Sequence, residues 1–332
     1  MIRFAVKRLV SMVLILLVLT AIVFLLQKLS HVDPAHAYLG ANASAEAIKH
    51  ETHVLGYDKP LVAQYVHYVS GLLGGNLEVS LRTRHPVATD IGVFLPATVE
   101  LAASALVLAV LLGAVFGLVS AARFRGAGAF RTLLLALASA PVFLLALLLI
   151  LWVSGDLHWL PGTGDTGYTN APTGPTGMIV VDGLLHGQPA VAWDGVRHLI
   201  LPAIVVALGP AVSIGRVLRG SLEAAMVSDF ARTARAKGLK ERTVVVRHAL
   251  RNSTSAALSM TGLQVGLMFA GVVVVESIFA WPGIALYVDQ SIPQADFPAI
   301  AGVTLVLGVG YVVINAVVDI LQAVVDPRVT LE

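Results

Sequence analysis

Residues 216–240 read RVLRGSLEAAMVSDFARTARAKGLK, a basic stretch between two long apolar runs. Together with residues 241–251 it contains nine Lys or Arg, whereas the whole chain of 332 residues is 57% hydrophobic and only 13% charged. Soluble domains carry roughly 25% charged residues, so the rest of the sequence is typical of segments that lie in a bilayer. The basic stretch is therefore expected to face water between two membrane spans.

Six apolar runs are long enough, or nearly so, to cross about 30 Å of hydrocarbon as helices. They predict spans at Leu9–Leu26, Leu101–Ala122, Thr132–Ser154, Leu199–Ile214, Ala256–Val275 and Ile300–Val325. The fourth run is short, and Pro202 and Pro210 each remove a backbone donor from it. Prolines are tolerated where neighbouring groups satisfy the freed backbone. This span is therefore predicted to lie inside a helical bundle and to extend to Arg216 and Arg219.

The distribution of Lys and Arg predicts the orientation. Sixteen of the 22 basic residues fall on one side if the chain has six spans and both termini in the cytoplasm, whereas five or seven spans would break this asymmetry. Residues 35–37 offer an A-x-A pattern after the first span. However, the apolar run of that span, 18 residues long, exceeds the core of a typical signal peptide. The sequence predicts an all-α polytopic membrane protein.

These spans divide the chain into five parts. They are the N-terminal tail and first span (1–27), an extracytoplasmic segment (28–96), spans two and three (97–154), an extracytoplasmic loop (155–197), and the last three spans with the cytoplasmic loop at about 216–251 (198–332). The loop 155–197 holds 13 Gly or Pro among its 43 residues, so it is expected to contain many turns and little helix.

Several enzyme classes lack their signature here. No lysine follows a glycine, so there is no phosphate-binding P-loop, and without cysteine there is no thiolate catalysis. The segment His50–His53 is one residue short of a zincin motif, and no metal site is predicted. Asp319 beside Asn315, like Glu100, fits a polar contact between helices or the carboxylate of a membrane protease. A secondary transporter coupled through such carboxylates is the other alternative.

A short helix is predicted within the basic loop. Ser228 or Asp229 can cap a helix that begins at Phe230, and Gly238 supplies the left-handed residue that ends it. About eight residues do not form a stable helix alone in water, so this helix is expected to dock on another protein. Phe230 and Ala234 are predicted to form its apolar stripe. Attraction of the basic residues to anionic lipid is the simpler interpretation of the charges alone.

The segment DFARTARAKGL at 229–239, followed by RHALRN at 247–252, closely resembles the EAA loop of bacterial ABC importer permeases, in the oligopeptide/dipeptide (and nickel) branch. The resemblance covers nearly the whole chain. Further segments that resemble the family, in its order, are VDPA at 32–35, LGYDKPLVAQY at 55–65, LPATVEL at 95–101, ESIFAWPG at 276–283 and DPRV at 326–329. The N-terminal pattern is most similar to the B-type subunit.

The resemblance implies a type I importer permease fold in the bacterial cytoplasmic (inner) membrane. It implies a transport subunit that is not an enzyme and carries no cofactor. A second permease subunit would complete the pathway, two ATPases with ATP and Mg would bind on the cytoplasmic side, and a substrate-binding protein would dock outside. No nucleic-acid partner is expected. Peptides are the expected substrate, and nickel, glutathione or another small solute is the alternative.

The same resemblance assigns roles to individual residues. Those expected to couple to the ATPase are Asp229, Phe230, Arg232, Thr233, Ala234, Arg235, Ala236, Lys237, Gly238 and Leu239, with Phe230 and Ala234 in a groove and Arg232, Arg235 and Lys237 in polar contacts. The pore or gate candidates are Glu276, Trp281, Pro282 and Gly283. For Trp281 a headgroup anchor is an equal alternative, and for Glu276 a carboxylate that snorkels to the outer surface.

Overall fold

A computed structural model describes residues 2–29, 43–54, 58–121, 126–172 and 174–325, with the backbone alone at helical positions 2–9, 29, 48, 51, 127 and 318–325. The family-like segments Val32–Ala35 and Asp326–Val329 lie outside the described residues, as do residues 55–57 of a third segment. The side chain of Asp319 also lies outside them.

Helices are the main structure of the described ranges, which contain no β-strand, although an isolated bridge joins Val79 to Pro86. The helices are α1 (Ile2–Leu29), α2 (Ala45–Val54), α3 (Leu61–Leu73), α4 (Val87–Ala121), α5 (Ala127–Ser139), α6 (Val142–Leu149), α7 (Ile179–Leu185), α8 (Pro189–Met226), α9 (Asp229–Ala236), α10 (Glu241–Thr243), α11 (Leu250–Phe279), α12 (Ile284–Ser291) and α13 (Phe297–Val325). Helix α6 continues as a π-helix over Ile150–Asp156, and a second π-helix, Val244–Ala249, joins α10 to α11.

Five of these helical stretches are long and apolar enough to cross a membrane: α1, α4, α8, the stretch from Glu241 to Phe279, and α13. A sixth crossing results if the bent pair formed by α5 and α6 is one span. The predicted spans all fall on these six stretches. Helix α4 begins at Val87, before the predicted boundary at 97. The predicted cytoplasmic loop, at about 216–251, contains helical stretches at both of its ends.

The prediction of one continuous third span is wrong. Helices α5 and α6 meet at an angle of 105°. Pro141 has no N–H to continue the helical hydrogen bonds, and Ala140 before it is extended, at φ −72° and ψ 143°, as residues before proline commonly are. The C-terminal end of α5 and the N-terminal end of α6 therefore both lie within the apolar run that was predicted to be the third span.

The fourth span is longer than predicted. Helix α8 contains both Pro202 and Pro210 and continues past Arg219 to Met226. Most of its apolar window is buried, which confirms the predicted interior position. Its first residues, together with α7, lie in the segment 155–197, so the expectation of little helix there is wrong.

The chain divides into two compact units, residues 1–95 with 284–312 and residues 96–283 with 313–332. In the second unit, α4 and α8 approach closely at glycines. Gly113 lies against Ala211 and Ile214, and Gly215 lies against Phe116, with no room for a Cβ at Gly215. Small residues allow such close approach of helices in a bilayer.

Substitution of Gly215 by Val is expected to lower the free energy of unfolding by about 1–3 kcal/mol, the usual cost of overpacking. The added Cβ alone would overlap the Phe116 ring and the Gly113 carbonyl oxygen. Gly220→Val is the matched control, because it lies on the same helix and its Cβ would meet open space. Thermal unfolding in detergent compares the two variants, and equal Tm values would contradict the close packing.

In the first unit, a buried carboxylate holds the segment that precedes α4. Asp296 is fully buried and accepts hydrogen bonds from the Ser80 hydroxyl and from the backbone N–H groups of Leu81 (3.0 Å) and Arg82 (3.1 Å). Buried polar groups are stable when they are paired in this way. The predicted outer segment 28–96 therefore contains an ordered turn just before α4.

Candidate functional site

Helix α9 occupies the position predicted for the short cytoplasmic helix, one residue earlier at its start. Ser228 stands at the N-cap, but its hydroxyl makes no cap hydrogen bond to α9. It donates instead to the Ala225 carbonyl at 2.6 Å, because the last carbonyls of a helix are free acceptors. Capping by the Ser228 side chain is therefore a wrong prediction. Asp229 lies in the first turn and pairs with Arg232 at 2.8 Å.

The C-terminus of α9 confirms the predicted role of Gly238 as the residue that ends the helix. Gly238 has φ +77°, its N–H donates to the Arg235 carbonyl (2.9 Å), and the Leu239 N–H donates to the Ala234 carbonyl (3.3 Å). This pair of hydrogen bonds forms a Schellman motif, in which glycine is favoured at the left-handed position. The turn fixes the direction in which the chain leaves α9.

The two faces of α9 differ sharply. Ala231 and Ala234 are 0% and 6% exposed and pack against Val244 and Met226 of the same chain. The predicted Phe230–Ala234 stripe is therefore wrong, and so is groove packing by Ala234, because Ala234 faces inward. Phe230 is 39% exposed. The other exposed members of the predicted set are Asp229, Arg232, Thr233, Arg235, Ala236, Lys237, Gly238 and Leu239.

Arg235 connects α9 to both neighbouring helices. Its Nε and Nη2 donate to the Glu241 carboxylate at 3.0 and 2.8 Å, and its Nη1 donates to the Met226 carbonyl at 2.9 Å. A two-pronged guanidinium–carboxylate pair is geometrically specific. Because Met226 ends α8 and Glu241 begins α10, this side chain joins the cytoplasmic ends of two membrane helices through α9.

The pore or gate candidates lie in the last turn of α11 and in the turn that follows it. Trp281 is fully buried, and its indole Nε1–H donates to the Ala97 carbonyl at 2.8 Å. Glu276 is also fully buried, and its carboxylate fills the space where Gly283 would carry a Cβ. The predictions of a headgroup anchor at Trp281 and a snorkelling carboxylate at Glu276 are wrong, because both require exposure. Together with Pro282, these residues shape a packed turn.

Glu100 has a structural explanation. Its carboxylate accepts hydrogen bonds from the backbone N–H groups of Ile179 (3.1 Å) and Val180 (3.0 Å), the first residues of α7. A carboxylate is stabilised by the free N–H groups at the start of a helix. Glu100 thus fixes the outer loop to α4, while Asn315 lies half-buried on α13.

A second carboxylate orders the outer loop from within. Asp182 on α7 accepts hydrogen bonds from the Thr176 hydroxyl (2.7 Å) and from the backbone N–H of Gly177 (2.8 Å). Burial by itself would raise the pKa of Asp182, but these hydrogen bonds outweigh it and hold the pKa below its usual value. The loop 155–197 therefore presents an ordered outer surface at neutral pH.

A cavity of about 470 Å³ lies in the second unit, where the break between α5 and α6 faces α8 and α11. Its polar lining residues are Ser139, Ser213, Arg216 and Gln264, among apolar neighbours that include Val206, Pro210, Met268 and Gly271. The cavity was not among the sites predicted from the sequence. Pro141 and Pro210 could have indicated it, because prolines that interrupt the hydrogen bonds of apolar helices often mark binding sites in transporters.

Comparisons with known proteins agree with the sequence resemblance. A family described as the binding-protein-dependent transport system inner membrane component matches residues 95–331, and its N-terminal counterpart matches residues 1–102. The dipeptide transport system permease protein DppB of Alkalihalophilus pseudofirmus is 35% identical over 99% of both chains. The di/tripeptide transport system permease protein DppB of Pseudomonas aeruginosa is 37% identical over 99% of both chains. The probable D,D-dipeptide transport system permease protein DdpB of Escherichia coli is 37% identical over 96% of this chain and 95% of the relative's length.

Proposed function

Because the chain belongs to the family of binding-protein-dependent transport system inner membrane components, we propose that it is a peptide permease subunit of an ABC importer in the bacterial cytoplasmic membrane. Three relatives that match over nearly their full length are named as permeases for dipeptides, D,D-dipeptides or di- and tripeptides. The chain forms half of the pathway, and a second permease subunit forms the rest. ATP and Mg bind to separate ATPase chains.

The observation that carries the proposal is the two-faced helix α9. Its alanine face is packed on its own chain, and Phe230, Arg232 and Lys237 are exposed. An amphipathic helix that is fixed on one face and exposed on the other is suited to a groove on a partner. We assign the outer face to the ATPase, with Phe230 in the groove and Arg232 and Lys237 at its rim. Closure of the ATPase pair then moves α8 and α11 through α9.

The outer surface supports the other partner. Asp296 orders the turn before α4, and Glu100 and Asp182 order the loop that contains α7. Loops held in this way present a fixed surface to a docking protein without a large ordering cost on binding. We assign these outer segments to the substrate-binding protein.

Cysteine cross-linking tests the assigned face. The chain has no cysteine, so each introduced thiol is the only one in it. Phe230→Cys is expected to cross-link to a cysteine placed in the ATPase groove, whereas Ala231→Cys, the adjacent buried position, should not. Equal yields at the two positions, or cross-linking at position 231 alone, would contradict the assignment of this face.

A further inference from the structure

Gln264 is a buried amide with an unused hydrogen-bonding capacity. It lies on α11, is 8% exposed and lines the 470 Å³ cavity. Within the part of the chain that the structure describes, its carboxamide makes no hydrogen bond. A carboxamide carries two N–H donors and a carbonyl acceptor, and polar groups at membrane depth are commonly functional. The cavity is therefore lined by a carboxamide whose donors and acceptor are not engaged by other described residues.

The opposite wall of the cavity supplies further acceptors. Pro210 has no N–H, so the helical hydrogen bond to the carbonyl of Val206, a lining residue, cannot form. The hydroxyl of Ser213 donates to the Gly209 carbonyl (3.1 Å), which leaves the hydroxyl oxygen free to accept. Arg216 lines the same cavity, and its exposed guanidinium makes no ion pair among the described residues. Donors, acceptors and one positive charge thus surround a space that is otherwise apolar.

We propose that this cavity is a transit site for the peptide backbone, in which the Gln264 carboxamide pairs with a peptide group of the substrate and Arg216 attracts its C-terminal carboxylate. This inference rests on the proposed function in peptide transport. A carboxamide has the same donor and acceptor pattern as a peptide bond, so it can accept the peptide N–H and donate to the peptide carbonyl. Recognition of this kind does not depend on the side chains of the substrate. It therefore allows peptides of different sequence to pass.

The size of the cavity suits a short peptide. A volume of about 470 Å³ lies within the usual range of small-ligand sites, roughly 300–1,000 Å³. A di- or tripeptide therefore fits within it.

The test compares a dipeptide with its depsipeptide analogue, in which an ester oxygen replaces the amide N–H. The complete importer is reconstituted in liposomes, and ATP-driven uptake of both compounds is measured for the wild type and for Gln264→Met. The wild type is expected to prefer the dipeptide, and Gln264→Met to raise the apparent KM for the dipeptide about tenfold, the effect of one hydrogen bond, and to remove the preference. Leu263→Met, at the exposed neighbouring position, is the matched control and should retain it.

The outcomes separate this inference from the proposed function. A wild-type importer that moves no peptide would contradict the proposed function itself. A wild type that moves peptide, with the preference unchanged in Gln264→Met, would overturn the transit site alone. If Gln264→Met does not assemble, labelling of Gln264→Cys by a maleimide takes its place: dipeptide should slow the labelling during turnover, and labelling unaffected by dipeptide would overturn the site.

Discussion

Arg235→Glu is expected to reduce ATP-driven peptide uptake by about tenfold or more, the scale of a typical coupling free energy between two sites. The side chain joins the Met226 carbonyl at the end of α8 to the Glu241 carboxylate at the start of α10. Reversal of its charge places two carboxylates together and removes the hydrogen bonds that tie α9 to both helices, leaving only the alanine packing. Movement of the ATPase would then displace α9 without moving the membrane helices.

The charge-swapped pair provides the control for this result. Adding Glu241→Arg to Arg235→Glu restores an ion pair of opposite orientation and should restore much of the uptake, because the Arg235–Glu241 pair is the specific connection. Arg242→Glu changes an exposed charge next to the pair and should have little effect. Uptake measured beside ATPase activity separates coupling from assembly. A double variant no better than the single one would contradict the role of this pair.

Trp281→Ala is expected to lower the free energy of unfolding by about 3–5 kcal/mol, the usual cost of removing a buried aromatic side chain. Trp281 is fully buried in the core of the second unit, and its loss leaves the Ala97 carbonyl without its indole donor. Trp193→Ala is the matched control, because that indole is 63% exposed. The apparent Tm of each purified variant in detergent gives the comparison.

A gating role for Trp281 makes the opposite prediction. A gate residue would change the transport rate and leave the Tm near that of the wild type. Trp281→Phe adds a finer test, since it keeps most of the volume and removes the hydrogen bond to Ala97; a smaller loss of about 1 kcal/mol is expected. Unchanged Tm in Trp281→Ala would contradict the structural role.

The features that the sequence predicted are local ones. Long apolar runs and the asymmetry of Lys and Arg are properties of contiguous residues, so they indicate six crossings and their orientation. Gly238 is predictable for the same reason, because a left-handed helix end depends on the few residues around it. The structure confirms Gly238 at φ +77°.

The features that the sequence did not predict depend on distant residues. The indole of Trp281 donates a hydrogen bond to the carbonyl of Ala97, which lies 184 positions away in the sequence. Nothing near Trp281 in the sequence indicates this partner. The sequence of α9 alone does not show which of its apolar residues face inward. Ala231 and Ala234 do so because Val244 and Met226 pack against them. The cavity around Gln264 is assembled from four helices, and only the prolines at 141 and 210 marked it.

ATP-driven peptide accumulation in proteoliposomes tests the central claim most directly. Liposomes contain this chain with its partner permease and ATPases, and the binding protein and a labelled dipeptide are supplied on the outer side. We predict accumulation that requires ATP, stops when the P-loop lysine of the ATPases is replaced, and falls about tenfold or more in Arg235→Glu. Accumulation by this chain alone on an ion gradient, or undiminished uptake with the inactive ATPases, would contradict the account.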